Sequence, residues 1–120
     1  MQERLGKNST RAAADRHEKS ICKALGAKQQ SNSGSGYFEK GDVICEEANL
    51  LIEAKCTMSP KQSFSIKKEW LVKNKKEALS MRKANQALCF RFDPEGDNYY
   101  IINESLMQYL IKCLSNDENI

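Results

Sequence analysis

The sequence predicts an α/β fold, with an α+β arrangement as the open variant. A central mixed β-sheet is flanked by helices, in the order α-β-β-β-α-β-β-α. Three observations carry this. Apolar residues recur at helical spacing before residue 26, between residues 63 and 83, and after residue 103. Short apolar runs of strand length lie between them, at Gly41–Cys45, Leu50–Lys55, Gln86–Phe92 and Tyr99–Ile102. Polar turns divide these runs into pairs, at Glu46–Asn49 and at Asp93-Pro94-Glu95-Gly96-Asp97. A chain of 120 residues fits one domain around one core, with residues 1–8 and 115–120 expected to be flexible.

In chain order, Asn8 or Ser9 caps a first helix that runs to Leu25, and Gly26 ends it. Ala14, Ile21 and Leu25 form its apolar stripe, and Glu18 falls on that stripe. An inward carboxylate is costly unless it is paired or bound to metal. His17, the single histidine, reads as a surface residue with no chemistry. Ala27–Gln30 forms a short first strand. Ser31–Gly36 is a polar Gly/Ser loop whose backbone N–H groups and hydroxyls suit phosphate contacts. Pro60 delays the next helix, which Ser63 or Ser65 caps and which ends near Lys83. Its stripe comprises Ile66, Trp70, Leu71, Ala78 and Met81, with Trp70 read as a core anchor rather than a base-stacking platform. Asn103 or Ser105 caps the last helix, which buries Leu106, Met107, Leu110 and Leu114.

The acids in the first strand pair point to chemistry. Residues two apart on a strand share a face. If the loop is the two residues Glu47-Ala48, antiparallel pairing puts Cys45 opposite Leu50, Ile44 opposite Leu51, and Asp42 opposite Glu53. Facing carboxylates repel, and a divalent cation between them removes the conflict. Lys55 shares the face of Glu53 and adds a positive charge. Asp…Glu-x-Lys across a hairpin suits metal-assisted phosphodiester cleavage, whereas the same residues on a solvated edge hairpin would do nothing.

Composition narrows the function classes. The net charge is only +3, yet residues 61–83 hold eight basic residues against Glu69 and Glu77. That asymmetry suits a polyanion or a solvated helix face. Five scattered cysteines without a C-x-x-C argue against a zinc site and against a disulfide framework, and fit a reducing, cytoplasmic compartment. No stretch reaches the roughly 20 apolar residues of a membrane span.

Glu18, Ser33-Gly34-Ser35-Gly36, Gly41-Asp42-Val43 and Ile52-Glu53-Ala54-Lys55 together resemble the PD-(D/E)xK nuclease superfamily. Within it they are most similar to archaeal-type and phage-encoded Holliday junction resolvases. The resemblance covers about Arg11 to Phe92, with Gly41 standing where the superfamily's name has proline. It implies a restriction-endonuclease-like fold and a homodimer acting on four-way or other branched DNA. It also implies Mg²⁺, with Mn²⁺ as a substitute, held by Asp42, Glu53 and the backbone carbonyl of Ala54. Glu18 would orient the attacking water or help to hold a second ion, and Lys55 would position that water and offset transition-state charge. Ser33, Gly34, Ser35, Gly36, Lys40, Lys61, Lys67 and Lys68 would steady the DNA backbone. The alternatives are another nuclease of this superfamily (restriction, nicking or DNA-degrading) and a non-catalytic DNA-binding module.

Overall fold

The computed structural model describes residues 2–30 and 42–117, with side chains described within residues 10–116. The element order is the predicted one: α1 (Gln2–Leu25), β1 (Lys28–Gln29), β2 (Asp42–Cys45), β3 (Leu50–Lys55), α2 (Lys68–Ser80), β4 (Asn85–Phe90), β5 (Tyr99–Ile102) and α3 (Glu104–Asp117). The five strands form one mixed sheet in sequential order. Pairing is antiparallel except between β3 and β4, which run parallel and are joined by the α2 crossover. The Gly/Ser loop, Lys40 and Gly41 lie outside the described residues.

The two faces of the sheet have different partners. Val43, Ile52, Ala87 and Cys89 pack with Ile21 of α1 in a fully buried cluster. The residues between them, Asp42, Leu51, Glu53 and Leu88, point the other way, toward α2. The sheet is thus a layer between α1 and α2, with an apolar core on one side and charged groups within the second interface.

The hairpin turn fixes the register. Cys45 pairs with Leu50 and Asp42 with Glu53, as the alternation requires. The loop has four residues, however: a single 3-10 turn over Glu46–Ala48 and then Asn49 in the left-handed region at φ 52°. Asparagine tolerates that region better than most residues. The turn is fastened from outside as well. Asn85 donates to Asn49 and Ala48 carbonyls at 3.0 and 2.9 Å, and Lys83 Nζ donates to Glu46 Oε1 at 2.7 Å. Lys83 reaches Glu46 because α2 stops at Ser80. The Lys83 N–H closes on Ala78 O and the Arg82 N–H on Leu79 O around a left-handed Arg82. Gly26 at φ 66° ends α1 as expected, and Asn103 Oδ1 caps α3 by accepting the Leu106 N–H at 2.9 Å.

Three helix expectations need correction. First, α1 begins at Gln2, well before the expected cap. Its buried line runs through His17 and Ile21, so Glu18 is half-buried at the margin and Leu25 is exposed. His17 is no surface residue. Its Nε2 lies 3.1 Å from Asn98 Oδ1 and 3.5 Å from Cys89 Sγ. Arg91 completes the cluster, donating to Asn98 Oδ1, Pro94 O and Ser20 Oγ at 2.8, 2.7 and 2.6 Å. The buried guanidinium is tolerated because these partners replace water, and they serve one ring nitrogen of His17, whose Nδ1 has no hydrogen-bond partner among the described residues. Second, α2 begins only at Lys68, so neither Ser63 nor Ser65 caps it and Ile66 precedes it; its inward line passes through Trp70, Asn74 and Ala78, while Leu71 is exposed. Third, α3 packs on neither sheet face. Met107, Leu110 and Leu114 are exposed, and only Leu106 and Cys113 are half-buried.

Two predictions follow from these contacts. Burial, reinforced by nearby Arg91 and only partly opposed by Asn98, lowers the His17 pKa from 6.5 to about 4. Between those values the unfolded chain binds a proton that the native chain refuses, so stability falls as pH drops from 6.5 toward 4. The loss from this group approaches about 3 kcal/mol. Urea unfolding across that range should show the fall, and His17→Gln should flatten most of it. Separately, Asn49→Val should cost about 1–2 kcal/mol in thermal unfolding, whereas Asn49→Gly should stay within about 0.5 kcal/mol of the parent.

Candidate metal centre

The sequence put two carboxylates opposite one another, and the structure adds a third. Asp42 and Glu53 are register partners on the α2 face of the sheet. Glu77, on α2, brings its carboxylate over them. One carboxylate oxygen from each of the three lies within 4.8 Å of the others. Oxygens on opposite sides of an octahedral Mg²⁺ stand about 4 Å apart, so small side-chain rotations bring the set to ligand spacing. Asp42 and Glu53 are both buried, at 2% and 8% exposure, which excludes a solvated edge hairpin.

Lys55 supplies the counter-charge. Its Nζ lies 2.9 Å from Glu53 Oε2 and 4.1 Å from the centre of the Trp70 ring. The ring face attracts the ammonium group, and the indole also limits where the long side chain can go. Lys67, at the start of α2, stands 5.8 Å from the same ring. Trp70 is therefore half-buried and holds cations, while Phe64, 6.3 Å away, links it to Phe90, Phe92 and Tyr99. It acts neither as a deep core anchor nor as a fully open platform.

The donor set fits a hard divalent cation. Three carboxylates gather within reach of one another, a set of hard oxygen donors, and Lys55 pairs with one of them, Glu53. Lys55 satisfies Glu53 Oε2, but Glu53 Oε1 is buried and has no hydrogen-bond partner among the described residues. A buried carboxylate oxygen in that state is costly, and an ion bound there would remove the cost. Ala54, whose carbonyl was expected to contribute, lies just beyond the last described β2–β3 pair, with its side chain packed toward α1.

Glu18 is not in this group. Gln29 Nε2 donates to Glu18 Oε1 and to Asp15 Oδ1, each at 2.9 Å. Gln29 pairs with Val43, whose side chain faces α1, whereas Asp42 faces α2. Of the expected DNA contacts, Lys61, Lys67 and Lys68 are exposed. Lys67 shares the Trp70 ring with Lys55, and Lys61 is held by its N–H to Phe92 O at 2.8 Å. Ser33, Gly34, Ser35, Gly36 and Lys40 lie outside the described residues.

Glu77 is the residue that the sequence alone does not single out, since it stands there as one of two acids in a basic stretch. The available signal was its spacing: Glu77 follows Trp70 by two helical turns and precedes Ala78, so it flanks the inward line of α2. Comparison with protein-family models, with curated proteins and with solved structures returns no match.

Proposed function

We propose that this chain is a Mg²⁺-dependent DNA endonuclease that hydrolyses phosphodiester bonds in branched DNA, with four-way junctions as the substrate. One observation carries the reading: Asp42 and Glu53 face one another across β2 and β3, buried, with Glu77 above them and Lys55 beside them. The resemblance to junction resolvases supplies the substrate class, and the exposed lysines around α2 supply a surface for a polyanion.

Asp42, Glu53 and Glu77 would hold the ion, and Glu53 Oε1 is the buried oxygen that most needs it. Bound there, a divalent cation would make water acidic enough to attack near neutral pH and would polarise the phosphoryl oxygen. The chain's own groups do the rest. Lys55, tethered by Glu53 and by the Trp70 face, presents a fixed ammonium to the negative charge that would build on the phosphoryl oxygens. Burial of the acids under α2 keeps bulk water from screening that charge. Lys67 and Lys61 contact backbone phosphates on either side, holding the strand without reading its bases. Glu18 is not assigned a ligand role, because Gln29 already engages it. Symmetric cuts across a junction need two such sites, hence two copies of the chain.

The test is cleavage of a synthetic four-way junction, a flap and a plain duplex, with Mg²⁺ and with chelator. Junction cutting that needs Mg²⁺ and spares the duplex is the expected result. Equal cutting of all three substrates would favour a different nuclease. No cutting together with tight junction binding would favour a non-catalytic module. Asp42→Asn and Lys55→Met should each slow cleavage by more than about 100-fold, while junction binding stays within about 3-fold. A second readout needs no DNA. Saturating Mn²⁺ should raise unfolding stability by about 2–3 kcal/mol, and Glu53→Gln should abolish the gain. Glu77→Gln should weaken Mn²⁺ binding in calorimetry by about 10-fold or more.

A further inference from the structure

Among the described residues, α3 leaves most of its apolar side chains uncovered, with only Leu106 and Cys113 half-buried. Met107, Tyr109, Leu110, Ile111 and Leu114 are all exposed, at 42% to 66%. An isolated helix of 14 residues is marginal in water, and most helical stability in proteins comes from covering an apolar face. The exposure continues past the helix. A groove of about 320 Å³ runs between α2 and β5, lined by Leu71, Val72, Ile101 and Ile102, and Leu71 and Val72 are themselves exposed. A second, of about 420 Å³, lies beneath α3 against Leu106, Tyr109 and Leu110. Asn103 borders both grooves, so the two meet just before the start of α3.

We propose that this surface is the contact between two copies of the chain, each α3 packing along the other's α3 and into the other's α2–β5 groove. Three features select a second copy over other occupants. The surface is self-complementary: it offers an apolar helix and, between α2 and β5, a largely apolar groove to receive one, as an isologous two-fold contact requires. Its size is right. Seven large side chains, each showing on the order of 100 Å², offer on the order of 700 Å² per copy, near the roughly 800 Å² of a standard interface and above the usual largest patch of a monomer. Its charge is right as well. Residues 104–120 hold Glu104, Asp117 and Glu118 against Lys112 alone, which disfavours anionic lipid and nucleic acid. Lys68 and Lys75 border the receiving groove and complement that acidic balance. The contact stands on α3 and α2 alone and does not depend on the metal reading.

Sedimentation velocity on the full chain, from about 1 to 100 μM, tests this. A dimer is expected, dissociating only at the lowest concentrations. Leu110→Glu on α3 and Val72→Glu on α2 should each weaken it by about 30-fold or more, since a charge is forced into an apolar contact. Glu95→Lys, on the β4–β5 turn, should leave it unchanged. Far-UV circular dichroism at each mass measurement separates dissociation from unfolding, and because the two variants lie on different helices, one can fail to fold without losing the test. A monomer at 100 μM, or a dimer indifferent to both variants, would overturn the proposal. A monomer that still binds Mn²⁺ would overturn it and leave the metal centre standing.

Discussion

The register of β2 against β3 is the constraint on which the candidate site depends. Side chains alternate along a strand, so a slip of one residue would move Asp42 to the α1 face and set Val43 among the acids. The four-residue turn prevents that slip. Its left-handed Asn49, the Asn85 bonds to Ala48 and Asn49, and the Lys83–Glu46 pair tie the hairpin end to the junction between α2 and β4. The same junction sets where α2 ends, and so where Glu77 sits above the sheet. One set of contacts therefore positions all three carboxylates, although they come from three separate elements.

On the opposite face, order comes from polar groups. Arg91 and Asn98 reach from β4 and the segment before β5 to Ser20 and His17 on α1, joining residues more than seventy apart in the chain. Thr57 adds a bond to the Arg91 carbonyl at 2.7 Å, which ties in the end of β3. Such a network is costly if any member is lost, because the remaining groups stay buried without water. It fixes the rotation of α1 more tightly than the narrow stripe of Ala14 and Ile21 could alone.

Much of the fold was legible because it is encoded locally. Alternation marked β2 and β3, the Asp-Pro-Glu-Gly-Asp turn marked the step from β4 to β5, and Gly26 and Asn103 marked helix ends. The Asp42–Glu53 pairing was legible for the same reason, since it needs only a period of two and a turn. What escaped depended on distant partners. His17 and Glu18 are neighbours, and helical spacing alone could not say which turned inward. Asn98 and Arg91, far along the chain, decided it. Glu77 was hidden in the same way, because its partners lie on strands that the α2 sequence does not mention. α3 was expected to be buried because its pattern is amphipathic, but amphipathicity records a need for cover and not the identity of the cover.

The parallel ladder between β3 and β4 has a consequence of its own. An antiparallel hairpin can form alone, but parallel strands must wait for a crossover, here the segment that includes α2. Cut out by itself, the stretch from Asp42 to Lys55 would display its two acids in open water, where like charges are well screened and cost little. Only when β4 arrives and α2 closes over the pair does their repulsion become expensive. Any affinity of this place for a cation would therefore belong to the completed β-α-β unit rather than to the short motif within it.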